Sequence, residues 1–417
     1  MTVEVSDHRR RRRLRHATRV PSHRVLGAVL GIVAAVLGFG VVFAETSLSR
    51  INDSFSTQDI SALLPETPAI SASADADPVD EAQGKAQNIL LLGSDSRLDE
   101  NGQLSGDSVG GMRNDTTIIL HISADRSRVE ALSIPRDSRV QISDCKMLDG
   151  STVKGWTGKF NIAFANGGRN GNIAEAAACV ATTVYDLTGI LVDHYAVVDF
   201  SGFVDMVNAL DGVPMCIPND VDAPKAHLKL TAGSHVLDGK TALAWARART
   251  GTGLGDGTDL MRIERQQELL TNMTRKALGL NLLTDATKGT KFITALANSL
   301  TMDPTLGDSH YLLGLAWSLR NFDTDNLYFA TVPWHYPGDG SGDVVWTEPD
   351  ADNVFAALKA DKSMKTVLEP DTSSTPKPSK TAKPSTSASP SASSSPSVSA
   401  TPKRETQQEI LADCTVG

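Results

Sequence analysis

Residues 113–137, RNDTTIILHISADRSRVEALSIPRD, contain two apolar runs that are flanked by charged residues. The runs Thr116–Ile122 and Arg128–Ile134 are rich in β-branched and aliphatic side chains, so each predicts a β-strand. Arg113–Asp115 opens the first strand, and Pro135–Asp137 follows the second. Because ligands bind at the ends of the strands in α/β sheets, this stretch predicts both a sheet and the position of a site.

Further strands and helices alternate on both sides of this stretch. Strand patterns occur at Asn88–Leu92, His194–Val198, Val213–Ile217 and Asn326–Val332. Helical patterns occur at Ile173–Leu187, Gly202–Leu210, Gly239–Ala248, Asp259–Leu278 and Asn353–Leu358. This alternation predicts one large α/β domain over residues 87–368, with a mixed sheet that is covered on both faces.

The N-terminal end of the chain differs from this domain in charge and hydropathy. The 417 residues carry a net charge of −9, but residues 1–24 hold eight Arg against Glu4 and Asp7, a net of +6 that leaves −15 for the rest. Val25–Ala44 is uncharged and is long enough as a helix to span the roughly 30 Å hydrocarbon core of a membrane. The flanking Arg would stay in the cytoplasm, so the sequence predicts a single-pass membrane protein with its large domain outside. A cleaved signal peptide is the alternative, because Val42–Ala44 resembles a cleavage site, and it places the domain on the same side.

Two segments have a composition that is typical of chains without a packed core. Residues 45–86 are rich in Ser, Ala, Asp, Pro and Thr and predict a stalk outside the membrane. Residues 369–406 are rich in Ser, Pro and Thr and predict a disordered linker, because they offer too little apolar surface to offset the entropy of ordering. Residues 407–417 remain as a C-terminal tail, which can dock back if its Cys414 forms a disulfide.

The four cysteines predict disulfides rather than a metal site. Cys145, Cys179, Cys216 and Cys414 are even in number and show no CxxC spacing, which fits an exported protein. Four cysteines allow three connectivities, and the sequence does not select among them. We take Cys145–Cys179 with Cys216–Cys414 as the working pairing.

Charged residues recur at the predicted ends of strands and helices. In addition to the two clusters above, they occur at Ser94–Arg97, at Arg247 with Arg249, and in Asp259-x-x-Arg262-x-x-Arg265-Gln266. Taken singly, each is more typical of a surface ion pair or a turn. Arg247 and Arg249 stand two residues apart and cannot share a helix face, so one points inward or the helix ends there.

Taken together, these clusters predict a site for a divalent cation and a pyrophosphate. Mg²⁺ takes one or two carboxylates together with phosphate oxygens, and guanidinium groups bind phosphates bidentately. The acidic net charge argues against a general nucleic-acid binder. Residues 239–241, GKT, lack the upstream glycine of a P-loop, so an ATP-binding loop is not predicted.

Seven blocks between Asn88 and about Thr274 resemble the LytR-CpsA-Psr (LCP) family of cell-wall glycopolymer ligases, in the order that the family shows. They are NILLLGSDSR, RNDTTIIL, VEALSIPRDSRV, KFNIAFANGG, YAVVDFSGFVDMVNALDGV, LDGKTALAWARAR and DLMRIERQQ. Seven blocks in register make the resemblance specific, and the basic N-terminus with one apolar span is also similar to the family. The Gly/Ser/Asp-rich insert Leu98–Gly111 departs from the family pattern because it is longer than expected.

The resemblance implies an α-β-α fold and a transferase activity. Family members move an anionic glycopolymer from an undecaprenyl-pyrophosphate carrier to a sugar hydroxyl of peptidoglycan and release undecaprenyl phosphate. The acceptor would be peptidoglycan or a surface protein, and no nucleic acid would take part. A polyprenyl-pyrophosphate hydrolase that uses the same residues is the alternative, and a binding module without catalysis is a further one.

The resemblance also implies roles for individual residues. Asp95 and Asp115 would bind Mg²⁺, Arg136 would act in catalysis, and Asp137 would orient Arg136 or assist deprotonation of the acceptor hydroxyl. The pyrophosphate would be bound by Arg97, Arg113, Arg247, Arg249, Arg262, Arg265, Gln266 and Lys159. A pocket for the polyprenyl chain would have Phe203, Val207, Leu243 and Trp245 as candidate lining residues, although Leu243 and Trp245 are more typical of ordinary core.

Overall fold

The structure is a computed structural model that describes residues 55–64, 80–95, 112–255, 259–279, 294–319, 322–323, 326–369 and 414. The predicted cytoplasmic segment 1–24, the predicted span 25–44, the insert 98–111 and nearly all of the linker and tail after residue 369 lie outside the described residues. Among the described helices, none combines the length and the apolar character that crossing a bilayer requires.

A seven-stranded mixed sheet forms the centre of the domain. Its strands are β1 (Ser56–Thr57), β2 (Gln87–Ser94), β3 (Asn114–Ile122), β4 (Val129–Ile134), β5 (His194–Val198), β6 (Leu300–Met302) and β7 (Leu327–Thr331). They lie in the order β1-β6-β5-β2-β3-β4-β7. Strand β3 is antiparallel to both of its neighbours, whereas β2 is parallel to β5 and β4 is parallel to β7. The ends of β2, β4, β5 and β7 and the start of β3 therefore share one edge of the sheet, which we call the site edge.

Helices and short hairpins surround this sheet. The helices are α1 (Ile162–Gly167), α2 (Ile173–Thr188), α3 (Phe200–Ala209), α4 (Gly239–Arg247), α5 (Asp259–Gly279), α6 (Ser309–Ser318), α7 (Asp350–Lys359) and α8 (Lys365–Leu368); residues 294–299 are also helical. Short 3₁₀ helices occur at Ser61–Leu63, Gly168–Asn170 and Pro224–Ala226. The paired strands outside the central sheet are Arg139–Gln141 with Thr157–Lys159, Cys145–Lys146 with Thr152–Val153, Val213–Ile217 with Gly233–Leu237, Val221–Ala223 with Leu228–Leu230, and Trp334–His335 with Val345–Trp346.

The alternation of side chains along the strands gives the sheet two apolar faces. On β2, Leu90 and Leu92 pack into the core that α2 and α7 cover. The intervening Ile89 packs on the opposite face, in a core that contains Tyr311 of α6. Helices therefore cover both faces, which confirms the predicted α/β domain with a mixed central sheet.

Short polar side chains set the starts of α3 and α4. The Oδ1 atom of Asp199 accepts a hydrogen bond from the Gly202 amide at 2.7 Å, and Oδ1 of Asp238 accepts one from the Thr241 amide at 2.8 Å. Each acceptor satisfies an amide that has no partner inside its helix. The two helices also approach closely at Gly239, where a Cβ atom would lie 2.3 Å from the Val204 carbonyl oxygen.

The domain begins earlier in the chain than the sequence predicted. Strand β1, inside the predicted stalk 45–86, pairs in parallel with β6, and the neighbouring Phe55 and Ile60 are buried. Both residues of β1 are polar and exposed, so no apolar alternation marked a strand there. The boundary predicted at residue 87 was too late.

The two disulfides follow the working pairing. Cys145 is bonded to Cys179, which joins a short hairpin to α2. Cys216 is bonded to Cys414, which joins strand Val213–Ile217 to the C-terminal tail. That strand pairs with Gly233–Leu237 in a separate hairpin and is not part of the central sheet.

A buried arginine joins the β3–β4 turn to the segment ahead of β2. Arg126 is 7% exposed, and its Nε atom donates to Oδ2 of Asp80 at 2.7 Å. Its other nitrogen atoms donate to the carbonyl oxygens of Ala82, Lys85 and Ser123. One side chain thus satisfies a buried carboxylate and three main-chain acceptors.

We expect Arg126→Met to lower the free energy of unfolding by about 3 kcal/mol, because the variant leaves a charge and carbonyl groups buried without donors. Denaturant unfolding measures this loss. The control Lys154→Met removes an ion pair with Asp144 in which the lysine side chain is 82% exposed, and it should cost at most about 1 kcal/mol. Equal losses in the two variants would contradict the assignment.

The same variant should change the dependence of stability on pH. Burial alone would raise the pKa of Asp80, but the hydrogen bond and charge of Arg126 hold that pKa below its ordinary value of 3.8. The contribution is therefore present above pH 3.8 and is lost as the pH falls through the folded-state pKa. On acidification below pH 4, Arg126→Met should lose less stability than the unmodified protein.

Candidate active site

The site edge brings together charged residues from two neighbouring strands of the central sheet. Asp115 lies at the start of β3, and Arg136 and Asp137 follow the end of β4. The Nη1 atom of Arg136 donates to Oδ1 of Asp115 at 2.6 Å, and its Nε atom donates to Oδ2 of Asp137 at 3.3 Å. The contact between Arg136 and Asp115 is possible because β3 starts where its antiparallel neighbour β4 ends.

Asp115 lies among positive charges. Burial on its own would raise the pKa of this carboxyl, but the charges of Arg136, Arg262 and Arg249 and the hydrogen bond from Arg136 lower it below its ordinary value. The Nη2 atom of Arg249 is 3.9 Å from Oδ1 of Asp115. Asp115 is therefore ionised at neutral pH, and it holds guanidinium groups at the site edge.

Asp137 is engaged at both of its oxygen atoms. Oδ2 faces Arg136, and Oδ1 accepts a hydrogen bond from Nζ of Lys159 at 2.8 Å. Burial would raise the pKa of Asp137, but the Lys159 hydrogen bond and the charges of Arg136, Lys159 and Arg249 lower it. Asp137 thus connects the predicted catalytic arginine to the predicted lysine.

Arg247 and Arg249 both belong to the site because α4 ends between them. Arg247 is the last helical residue, and Ala248 has an extended backbone, with φ −60° and ψ 127°. The guanidinium of Arg247 lies over the ring of Phe200, 4.3 Å from its centroid. Of the two alternatives that the spacing of these arginines left open, the structure shows that the helix ends here. Phe200 was not singled out from the sequence.

The two predicted arginines of α5 face different surroundings. Arg262 is 1% exposed and lines a cavity next to Asp115. Arg265 does not line that cavity. It donates to the carbonyl oxygens of Ala248 and Leu254, and it lies 5.5 Å from the ring of Trp245. Arg265 was predicted to contact the phosphate. In the structure, its guanidinium group donates to main-chain carbonyl oxygens instead, so Arg265 holds the segment that carries Arg249.

Gln266, one residue further along α5, faces the site edge. Its Nε2 atom donates to the Ala246 carbonyl oxygen at 3.0 Å, and its Oε1 atom accepts a hydrogen bond from Thr116 at 3.2 Å. Gln266 therefore links α5 to α4 and to the start of β3, and it lines the same cavity as Arg262.

Asp95 is fixed to the strand that carries Asp115. The main chain of Asp95 donates to the Arg113 carbonyl oxygen at 2.8 Å, and Oδ1 of Asp95 accepts a hydrogen bond from the Arg113 amide at 2.7 Å. Asp95 is 8% exposed, whereas the side chain of Arg113 is exposed. Arg97 lies outside the described residues.

These carboxylates fit a site for a hard cation that is completed by its substrate. Mg²⁺ usually takes one or two carboxylates and fills its remaining positions with phosphate oxygens and water. Asp95 and Asp115 supply two carboxylates at the adjacent ends of β2 and β3. In the described part of the chain, no group of three or more His, Cys, Asp or Glu could hold a metal ion.

An elongated apolar cavity of about 390 Å³ begins at these charged residues. Its walls come from β2, β3 and β5 on one side and from α3, α4 and α5 on the other. The α5 residues that line it include Arg262, Gln266, Leu269, Leu270, Met273 and Ala277. From Arg262 to Ala277 the helix rises by about 22 Å at 1.5 Å per residue. The cavity is therefore charged at one end and apolar along the rest of its length.

Two of the four residues predicted for the apolar pocket line this cavity. Phe203 and Leu243 are in its wall. Val207 and Trp245 belong instead to the buried core between α3, α4 and the hairpin of strands Val213–Ile217 and Gly233–Leu237. An apolar residue on a helix gives the same sequence signal whether it faces a core or a cavity, so the sequence did not separate the two pairs.

Known proteins are similar to this chain in sequence and in fold. Residues 51–362 match the model of the LytR_cpsA_psr family. Cell wall biosynthesis protein LcpA of Corynebacterium glutamicum is 33% identical over 278 residues, 62% of this chain and 52% of LcpA. Probable cell wall biosynthesis protein LcpB of the same organism is 30% identical over 345 residues, 79% of this chain and 71% of LcpB. Polyisoprenyl-teichoic acid–peptidoglycan teichoic acid transferase TagT of Bacillus subtilis is 28% identical over 246 residues, 58% of this chain and 67% of TagT. The chain thus spans about half the length of LcpA.

Two crystal structures have a similar fold. Protein gbs0355 from Streptococcus agalactiae superposes with a TM-score of 0.52 at 23% identity, covering 67% of this chain and 89% of that chain. TagV of B. subtilis superposes with a TM-score of 0.50 at 22% identity, covering 67% of this chain and 98% of that chain. At this identity the likeness concerns the fold alone.

We expect Ala277→Phe to weaken the binding of a long-chain polyprenyl phosphate at least about fivefold, because the larger side chain occupies the apolar part of the cavity. Displacement of an apolar fluorescent dye measures the affinity. The control Val236→Phe enlarges a side chain that is 51% exposed in a hairpin away from the cavity wall. Equal affinities in Ala277→Phe and the control would show that the ligand does not occupy this cavity.

Proposed function

The chain belongs to the LytR-CpsA-Psr family, and we propose that it is a phosphotransferase that moves a glycopolymer from a polyprenyl-pyrophosphate carrier to a cell-wall acceptor. The observation that carries the proposal is the cavity whose charged end contains Arg247 and Arg262 next to Asp115. A lipid pyrophosphate has the same order, an apolar chain followed by two phosphates. The relative TagT is named as a transferase of teichoic acid from a polyisoprenyl carrier to peptidoglycan, which supports the same classes of donor and acceptor here.

The proposed reaction is a displacement at phosphorus. The hydroxyl oxygen of the acceptor forms a bond to the phosphorus that carries the glycopolymer, and the bond from that phosphorus to the bridging oxygen breaks. Polyprenyl phosphate leaves, and the hydroxyl proton passes to solvent or to the leaving phosphate. Transfers of this kind need positioning and charge neutralisation more than covalent chemistry.

The positions of the arginines support this proposal. Arg247 and Arg262 line the cavity, so they are the ones that would bind the phosphate attached to the lipid. Arg136 and Arg249 lie beside Asp115 but do not line the cavity, so they would bind the phosphate that is transferred. Gln266, Lys159 and the exposed Arg113 remain further candidates, as does Arg97 outside the described residues.

Of the two roles considered for Asp137, orientation of Arg136 is the better supported. A general base works best with a pKa near the operating pH. The pKa of Asp137 is lowered, and both of its oxygen atoms are already bound by Arg136 and Lys159. Asp137 would therefore keep Arg136 in the orientation that binds phosphate.

Asp95 and Asp115 would hold Mg²⁺ in this scheme, and the cation would supply further neutralisation of the pyrophosphate charge. The carrier lipid also suits a membrane-anchored enzyme with its large domain outside the cytoplasm, which the apolar residues 25–44 predict. Undecaprenyl is the chain that the family resemblance implies.

A polyprenyl-pyrophosphate hydrolase is the second candidate, because water could replace the acceptor hydroxyl at the same charged end. Incubation of a polyprenyl-pyrophosphate-linked glycopolymer with and without peptidoglycan fragments separates the two. Attachment of polymer to the fragments supports the transferase. Release of polyprenyl phosphate that is never accompanied by attachment would support the hydrolase.

In this assay we expect Arg136→Ala to lower the rate of transfer at least about a hundredfold, because a preorganised cation at the reacting phosphate is removed. Arg136→Lys should retain more activity than Arg136→Ala but less than the unmodified protein, since it keeps the charge without the bidentate donors. Arg169→Ala changes an exposed arginine that does not line the cavity, and it serves as the control. Unchanged transfer by Arg136→Ala would refute the proposed function.

We also expect chelation by EDTA to abolish transfer and Mg²⁺ to restore it. Asp95→Asn should raise the Mg²⁺ concentration for half-maximal rate about tenfold, because it removes the charge and keeps an oxygen that accepts the Arg113 amide hydrogen bond. The matched control is Asp149→Asn, whose carboxylate accepts the Ser151 amide in a surface turn. The same Mg²⁺ requirement in both variants would exclude Asp95 as a ligand.

A further inference from the structure

We propose that Asp343 is a positioning residue of this site, which holds Lys159 against Asp137 and thereby fixes the orientation of Arg136. This inference rests on the proposed function, because it assigns a role within the same charged end of the cavity. Asp343 lies more than 200 residues after Arg136 in the chain, and no sequence pattern connects the two.

The main chain around Asp343 is docked on the residues that follow Arg136. The Val344 amide donates to the Asp137 carbonyl oxygen at 3.1 Å, and the Arg139 amide donates to the Val344 carbonyl oxygen at 2.8 Å. Ser138 and Val344 form a parallel bridge between these bonds. The backbone position of Asp343 is therefore set relative to Asp137–Arg139, the residues that follow Arg136.

The side chain of Asp343 lies between two cations that face each other. Arg139 and Lys159 are directly paired across two antiparallel strands, and like charges in such a pair are destabilising. Oδ2 of Asp343 is 2.8 Å from Nε of Arg139, and its Oδ1 atom is 3.5 Å from Nζ of Lys159. One carboxylate thus compensates both charges and restrains the end of Lys159.

This restraint reaches Arg136 through consecutive contacts. Nζ of Lys159 is 2.8 Å from Oδ1 of Asp137, and Oδ2 of Asp137 is 3.3 Å from Nε of Arg136. Lysine has a flexible stem, and this one is 40% exposed, so its ammonium group can move into solvent when a partner is lost. Without Asp343, Asp137 would lose part of the support that orients Arg136.

Asp339 provides a matched comparison within the same loop. Its Oδ2 atom is 2.7 Å from Nη2 of Arg139, so it binds the same arginine as Asp343. In the described part of the chain, the carboxylates paired with Lys159 are Asp137 and Asp343. Substitution of Asp339 therefore removes one carboxylate from Arg139 and leaves both carboxylates of Lys159 in place. Substitution of Asp343 removes a carboxylate from Arg139 and from Lys159.

The experiment compares Asp343→Asn with Asp339→Asn in the full-length protein, in the transfer assay with peptidoglycan fragments. We expect Asp343→Asn to lower kcat about fivefold with the donor KM changed less than about twofold, since the lost contact orients a group that acts on the transition state. Asp339→Asn should leave both constants unchanged. Both variants should show a similar small decrease in Tm. The inference is overturned if the two variants have the same kcat.

A second comparison tests whether Asp343 acts through Lys159. Lys159→Met alone and Lys159→Met with Asp343→Asn should have the same kcat, because the second substitution then releases Arg139 alone, and Asp339→Asn tests the effect of weakening the contacts of that arginine. If the double variant has a lower kcat than Lys159→Met alone, Asp343 acts by a route other than Lys159, and the inference is refuted. Asp343→Glu should restore at least half of the kcat that Asp343→Asn loses. If Asp343→Asn does not fold, Asp343→Ser, which also removes the carboxylate, takes its place.

Arg136→Ala in the same series separates this inference from the proposed function. If Arg136→Ala transfers normally, the proposed function fails. If Arg136→Ala is inactive while Asp343→Asn behaves as Asp339→Asn does, the function stands and the role of Asp343 is refuted.

Discussion

Strand β3 is antiparallel to both β2 and β4, and the position of the site depends on this strand direction. Because of it, the start of β3 lies beside the ends of its neighbours, so that Asp115 meets Arg136 at 2.6 Å. The same edge receives Asp95 from β2 and Phe200 at the start of the helix after β5. If β3 ran parallel to its neighbours, Asp115 would lie at the opposite edge of the sheet, and Arg136, Arg249 and Arg262 would lose the carboxylate whose pKa they lower together.

The grouping of several arginines has an energetic cost that Asp115 and Asp137 offset. Like charges repel, and a buried ion is unfavourable unless it is paired. The lowered pKa of Asp115 reports its interaction with Arg136, Arg262 and Arg249, and the same interaction stabilises the folded protein while the carboxylate is charged. These pairs also keep the arginines in place before any anionic ligand arrives, which reduces the reorganisation that binding requires.

Elements with a clear apolar pattern could be predicted from the sequence, whereas the shortest strands and helix α6 were not. The bounds predicted for β5 and for strand Val213–Ile217 agree with the structure, and α2 and α5 differ from their predictions by one residue at the C-terminal end. Strands of two or three residues, such as β1 and β6, are too short to show an alternation. The sequence also did not separate Arg262, which faces the cavity, from Arg265, which binds carbonyl oxygens three residues further along the same helix.

The sequence by itself determined the α/β class, the set of chemical groups and the family, because apolar periodicity and motif spacing are properties of the chain alone. Tertiary structure decided which of those groups meet. Strand direction placed Asp115 against Arg136, the end of α4 allowed both Arg247 and Arg249 to reach the site edge, and the packing of α3, α4 and α5 over the sheet left a cavity beside them. It also brought Asp343 to Lys159. Contacts between residues that are far apart in sequence depend on how the elements pack, and no local pattern of side chains carries that information.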